Sequence, residues 1–339
     1  MTDYKNLKLI ATSSPHIRAA ENTRSIMLDV IIAMLPALVW SVWAFGVRAL
    51  TITCASVICC VVWEWLYRKA LKRPQSVGDL SAVVTGMLLA FVCPVDVTYF
   101  AIIVGSFFSI IVAKQLFGGI GKNFVNPALV GRAMMLASFA GTMTTWAQFQ
   151  AKSPLFGATA DVVTAATPMA FLHANDLQGL MDSGVTVTDM FLGRIGGSLG
   201  EVSALLVIAG GIYLLARKII SWQTPVAYIA TVAVLTLIFP RGNDPVTWML
   251  FNLFGGGLML GAFFMATDYA TSPVTGKGQL IYGIGCGLIT IFIRYFGSYS
   301  EGVCYSILVM NLLTALIDKY VKPQRFGVVK SEKKEAASK

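Results

Sequence analysis

The sequence predicts an all-α integral membrane protein with about ten transmembrane helices in two inverted five-helix repeats, some of the helices broken. Three observations carry that expectation. Hydrophobic residues make up 56% of the chain and charged residues 13%, against about 25% charged in soluble domains. With a mean hydropathy of +0.71, the apolar excess has no core large enough to hold it and must face lipid. Apolar runs approaching the roughly 20 residues needed to cross hydrocarbon recur along the whole chain. Lys and Arg, finally, concentrate in alternate connections between those runs.

The runs lie at 26–46, 49–67, 79–95, 98–116, 126–142, 199–216, 222–240, 246–266, 279–297 and 302–320. The third and fifth are short or Gly-rich and read as broken or re-entrant, which a bilayer tolerates only where backbone is buried in protein or lines a cavity. They divide the chain into a cytoplasmic N-terminal segment (1–25), a first transmembrane half (26–142), an outer loop (143–198), a second transmembrane half (199–320) and a basic cytoplasmic tail (321–339). Placing both termini in the cytoplasm leaves five of the 26 Lys and Arg outside, namely Arg48, Lys152, Arg194, Arg241 and Arg294, and 21 inside. The reverse orientation inverts that bias. Residues 78–133 and 255–318 share a plan of helices around a Gly-rich crossing. With five spans on each side of the long loop, the halves are inverted relative to one another, an arrangement that sets functional sites near the midplane at broken helices.

The net charge of +9 reads as topology and excludes a nucleic-acid partner, since no stretch joins a basic face to a soluble fold. The first 25 residues are polar and mixed in charge, unlike a secretory leader. Cys54, Cys59, Cys60, Cys93, Cys286 and Cys304 lie in or beside apolar runs without a CxxC pair or a nearby His, so they read as apolar filler, not metal ligands. The seven tryptophans fall near run ends, as in an interfacial belt. Glu64, in an apolar run, reads as snorkelling or paired. Glu201 reads as the acid that caps the sixth helix.

Three clusters interrupt the apolar pattern, and polar groups in a bilayer are costly unless they serve a site or partner. In Lys114–Gly131, glycines permit tight bends and Pro127 suits a first helical turn. Asn123 and Asn126 there read either as helix caps or as the walls of a pocket for a flat, hydrogen-bonding cofactor. In Phe263–Gln279, Asp268 reads either as part of a helix end or as a contact for a cation or a neighbouring protein. In Asp161–Ala170, Thr164 and Thr167 stand among small residues, so the segment reads either as a Thr-rich loop or as hydroxyls open to an incoming enzyme.

The stretches SSPHI (13–17), GDLSAVVTGMLLAF (78–91), LFGGIGKNFVNPALVGRA (116–133), DVVTAATPM (161–169), GEVSALLVIAGGIYLL (200–215), FMATDYATSP (264–273) and EGVCYSILVMN (301–311) come in order and span nearly the whole chain. In them the chain resembles the RnfD family, the D-type subunits of the Rnf ion-translocating oxidoreductase complex, related to the B-type subunits of the sodium-pumping NADH:quinone reductase. The Rnf branch is favoured by the short N-terminus and by Tyr269-Ala270 after Asp268. The resemblance implies FMN joined through its phosphate to a Thr hydroxyl, in a pattern like Asp-x-x-Ser/Thr-Gly-Ala-Thr. Asp161, Thr164 and Thr167 match that pattern, with Thr167 as acceptor and Ala165 where Gly is common. The Gly-Ala-Thr at 157–159 lacks the upstream Asp and hydroxyl.

It further implies a flavin transferase, a second, non-covalent flavin of the riboflavin type bound by Asn123 and Asn126, and Asp268 along an ion path. The implied function is that of an electron-carrying subunit, lipid-embedded in a bacterial inner membrane beside other Rnf subunits. There it links ferredoxin and NAD chemistry to Na⁺ or H⁺ movement. The competing expectation is a flavin-free, stand-alone channel or secondary transporter on the same broken-helix plan.

Overall fold

The protein is described by a computed structural model covering residues 22–150, 167–201, 203–242 and 244–322. Its described residues are helical throughout their regular structure: α1 (Thr23–Phe45), α2 (Val47–Ala70), α3 (Ser81–Phe91), α4 (Tyr99–Phe107), α5 (Pro127–Ser138), α6 (Ala140–Met143), α7 (Pro168–His173), α8 (Leu177–Asp182), α9 (Val187–Leu192), α10 (Ala204–Ala216), α11 (Gln223–Ile238), α12 (Pro245–Phe254), α13 (Leu258–Leu260), α14 (Gly276–Phe296) and α15 (Val303–Tyr320). Two of them widen into π-helix, α4 over Phe108–Gln115 and α13 over Gly261–Met265.

Four helices, α1, α2, α14 and α15, are each long and apolar enough to cross a membrane. Helix α12 and the α13 segment together make a fifth such element, bent by 58°. Helices α3, α4 with its π extension, α10 and α11 are apolar but shorter. The runs at 26–46, 49–67, 279–297 and 302–320 therefore become single helices. The third and fifth are short, as expected. The sharpest break falls instead in the eighth run, at Gly255-Gly256-Gly257. Gly256 and Gly257 have φ of +63° and +67°, the left-handed region that glycine enters without a Cβ penalty.

Large apolar side chains cover the exterior, and polar side chains lie fully buried within an otherwise apolar core. Val39, Phe100, Phe292 and Phe296 are more than 60% exposed, whereas Ser56, Glu64, Thr236 and Thr290 are fully buried. Small residues allow close packing, as expected where helices have no hydrophobic drive between them in lipid. Gly283 and Gly287 on α14 face α11, and a Cβ on Gly283 would lie 2.7 Å from the Thr224 carbonyl oxygen. The Tyr228 hydroxyl meets Thr290 Oγ1 at 2.7 Å and Ser306 Oγ at 3.0 Å, tying α11, α14 and α15 together.

The stretch after α6 is more than a loop. Helices α7, α8 and α9 start at Thr167, Asp176 and Thr186, whose side chains accept first-turn N–H groups. They bury Met169, Leu172, Leu177, Leu180 and Met190 against Trp248 and Phe251 of α12. Trp248 is 1% exposed and donates from Nε1 to the Tyr295 hydroxyl at 2.9 Å, so it is a core residue and not part of an interfacial belt. Trp43, Trp65 and Trp222 are exposed, as a belt requires.

Candidate functional site

Two clefts lie at opposite ends of α5. The first turn of α5 lines one of them, and Arg132 and Leu136 line the other.

The Asn123 cleft has a cavity of about 100 Å³. It brings together two sequence clusters more than a hundred residues apart. Asn126 caps α5, its Oδ1 accepting from Ala128 N at 3.0 Å and Leu129 N at 3.4 Å. Its Nδ2 donates to the Met265 carbonyl at 3.2 Å, where the π segment of α13 ends. Asn123 donates to the Val125 carbonyl at 3.2 Å and lies 3.5 Å from Asp268 Oδ2. Asn126 is thus a helix cap, as one reading of its sequence expected, and it also lines the cleft. Asp268 follows the π segment in a turn where it accepts from Thr271 Oγ1 at 3.3 Å.

Lys114 lines the same cleft from the π extension of α4. Its ammonium is 2.7 Å from Glu64 Oε2 and 2.6 Å from Ser81 Oγ, all three buried. Ser76 also hydrogen-bonds Glu64. Glu64 therefore does not snorkel; it is a buried, paired charge.

The Thr167 cleft has a cavity of about 240 Å³. Thr167 begins α7, with φ −69° and ψ 152°, and its Oγ1 accepts from Ala170 N at 3.3 Å. Around it stand Trp146, Tyr299, Tyr305, Arg132 and Glu301. The rings of Tyr299 and Tyr305 are 5.1 Å apart and tilted by 33°. Asp161 and Thr164, like the Gly-Ala-Thr at 157–159, lie outside the described residues.

Beneath this cleft is a charge cluster that the sequence does not announce. Arg132 pairs with Glu201 at 3.3 Å and with Glu301, and donates to the Val92 carbonyl at 2.7 Å. Arg294 donates to the carbonyls of Asn252 (2.6 Å), Glu301 (2.9 Å) and Gly255 (3.1 Å). Gly257 has φ +67°, which disfavours other residues, and a Cβ there would also push the Glu201 carboxylate out of place. Glu201 is therefore an ion-pair partner and not the cap of its helix; Ser203 caps α10, accepting from Leu206 N. Charge counting assigns Arg132 to the cytoplasmic side, but it is buried in the bundle. Arginines inside apolar runs at 132 and 294 were the available signal.

Residues 10–327 match the model of the NQR2, RnfD, RnfE family. The chain belongs to this family. Among curated relatives it is 49% identical over 333 residues to the D-type subunit of the Na⁺-translocating ferredoxin:NAD⁺ oxidoreductase complex of Acetobacterium woodii, covering 98% of this chain and 99% of that one. It is 42% identical over 332 residues to the D-type subunit of the proton-translocating ferredoxin:NAD⁺ oxidoreductase complex of Clostridium ljungdahlii, covering 95% and 97%. It is 37% identical over 326 residues to the D-type subunit of the ion-translocating oxidoreductase complex of Stutzerimonas stutzeri, covering 89% and 91%.

Proposed function

We propose that the chain is the flavin-carrying membrane subunit of an Rnf complex, which links electron transfer between ferredoxin and NAD to movement of Na⁺ or H⁺. Near full-length similarity to subunits so named supports the assignment to the complex. The flavin rests on one observation: the Thr167 hydroxyl stands at a cleft walled by Trp146, Tyr299 and Tyr305 with a guanidinium at its side. That donor set suits FMN. The hydroxyl accepts the phosphoester, aromatic faces suit an isoalloxazine ring, and Arg132 suits its electron-rich edge. When bound, FMN supplies the electron-carrying chemistry, and the protein supplies binding, orientation and electrostatics. A separate flavin transferase attaches it.

In the same reading, Asn123 and Asn126 hold a second flavin of the riboflavin type, and Asp268 borders the ion path. The shorter apolar helices α3, α4, α10 and α11, together with α5, complete ten spans in two inverted halves. Both termini are cytoplasmic, residues 143–198 face outward, and lipid covers the exposed apolar surface. In-gel fluorescence of the denatured chain, produced with its transferase, tests the flavin. The band is expected in wild type and absent in Thr167→Ala. A colourless wild-type chain that moves solute by itself in liposomes would instead establish the flavin-free transporter, whose supporting observation is the 58° break between α12 and α13.

A further inference from the structure

The Arg132 cluster joins four parts of the chain: α5 gives Arg132, the segment before α10 gives Glu201, α14 gives Arg294, and the turn before α15 gives Glu301. Two cations and two anions make it formally neutral. The members are not equivalent towards the Thr167 cleft. Arg132 and Glu301 line it, Glu201 pairs with Arg132 and lines an adjoining space beside Thr167, and Arg294 is held on the carbonyls of Asn252, Gly255 and Glu301. A purely structural clamp needs no such asymmetry. Arg132 is the one guanidinium lining a cleft whose other described walls are aromatic, hydroxyl-bearing or apolar, apart from the carboxylate of Glu301.

Uptake of one electron without a proton turns a neutral flavin into a radical anion. A buried, fixed positive charge beside the ring stabilises that anion, because water is too distant to screen the interaction. Glu201 and Glu301 hold the guanidinium in place and oppose part of its field.

We propose that Arg132, held by Glu201 and Glu301, sets the one-electron reduction potential of a flavin tethered at Thr167. This rests on the flavin reading above. The field has a sign, which structural damage does not. Arg132→Gln removes a positive charge and makes the flavin harder to reduce. Glu201→Gln removes a negative charge at almost constant shape and makes it easier.

The test is a dithionite titration of the full-length chain, purified with its covalent flavin, with the radical followed by electron paramagnetic resonance. The Thr167→Ala chain serves as the blank to be subtracted. Arg132→Gln is expected to lower the one-electron reduction constant at least tenfold, about 59 mV for one electron. Glu201→Gln is expected to raise it by severalfold, and Arg132→Lys to stay within about threefold of wild type. Where Arg132→Gln does not fold, the combined Arg132→Gln/Glu201→Gln chain, which leaves no orphan charge at that pair, decides: its constant returns towards wild type. Equal shifts of one sign in both single variants, or no shift in Glu201→Gln, would overturn the inference while leaving the tethered flavin in place. A wild-type chain with no flavin on Thr167 would remove both.

Discussion

The Asn123 and Thr167 clefts lie at the two ends of α5, yet they use their polar groups differently. In the first, the side chains are committed to the fold. Asn126 alone satisfies two orphan N–H groups of α5 and one carbonyl of the α13 segment, and Lys114 is held between Glu64 and Ser81. In the second, Thr167 contributes a single long cap bond to a six-residue helix. The comparison teaches that polar residues in a membrane bundle can be costly to lose for opposite reasons. Around Asn123 the loss falls on stability as well as on any ligand bound there; at Thr167 it falls mainly on the proposed flavin.

The largest expected effect follows at Thr167. Thr167→Ala abolishes the fluorescent band while the melting temperature in detergent stays close to wild type, the lost cap being worth about 1 kcal/mol. Asn123→Ala and Asn126→Ala keep the band. A band that survives in Thr167→Ala, or vanishes in Asn126→Ala, breaks the contrast.

Next is the buried pair. Lys114→Met leaves Glu64 as an unpaired buried charge and is expected to destabilise the chain by about 3–5 kcal/mol. The combined Lys114→Met/Glu64→Gln chain recovers most of that, read as denaturation midpoints in detergent. Equal losses in the single and combined variants would contradict a buried ion pair.

Smaller still, Asn126→Ala is expected to cost about 1 kcal/mol for the cap and a similar amount for the bond to Met265. Asn126→Ser keeps a cap oxygen and recovers roughly half. Identical midpoints for the two variants would show that the cap carries no weight.

The smallest effect lies at the surface, in α9. Hydrogen bonding from Thr186 holds the Asp189 carboxyl below its ordinary value of 3.8. Its contribution is present above that value and is lost as the pH falls below it. Wild type is therefore slightly more stable than Asp189→Asn at pH 6, and in parallel melts the gap narrows as the pH falls below 3.8. A constant gap would mean that the carboxylate is irrelevant.

Much of the bundle was legible in the sequence because long apolar runs map directly onto long helices. The ends of α1, α2, α14 and α15 fall within a few residues of the runs that announced them. Asn126-Pro127 announced the start of α5, and the Gly-rich clusters marked the Asn123 cleft. Helices α7 to α9 were not legible. Six residues span less than two turns, too few for a 3.6-residue period to be read, and only their caps at Thr167, Asp176 and Thr186 left a trace. The Arg132 cluster was hidden for another reason: its partners are 69 and 169 residues away along the chain. An acid beside a helix start reads as a cap until a distant arginine is seen beside it. The Gly-rich crossing that begins at Gly255 was visible, but the apolar pattern continues through it, so 246–266 read as one run and the 58° bend was not foreseen.

The most direct measurement is mass spectrometry of the peptide containing Thr167, from the chain produced with its transferase. The account predicts one FMN-sized addition, localised by fragmentation to Thr167. The unmodified peptide mass, or the same addition localised to Thr159 or Thr164, would contradict it.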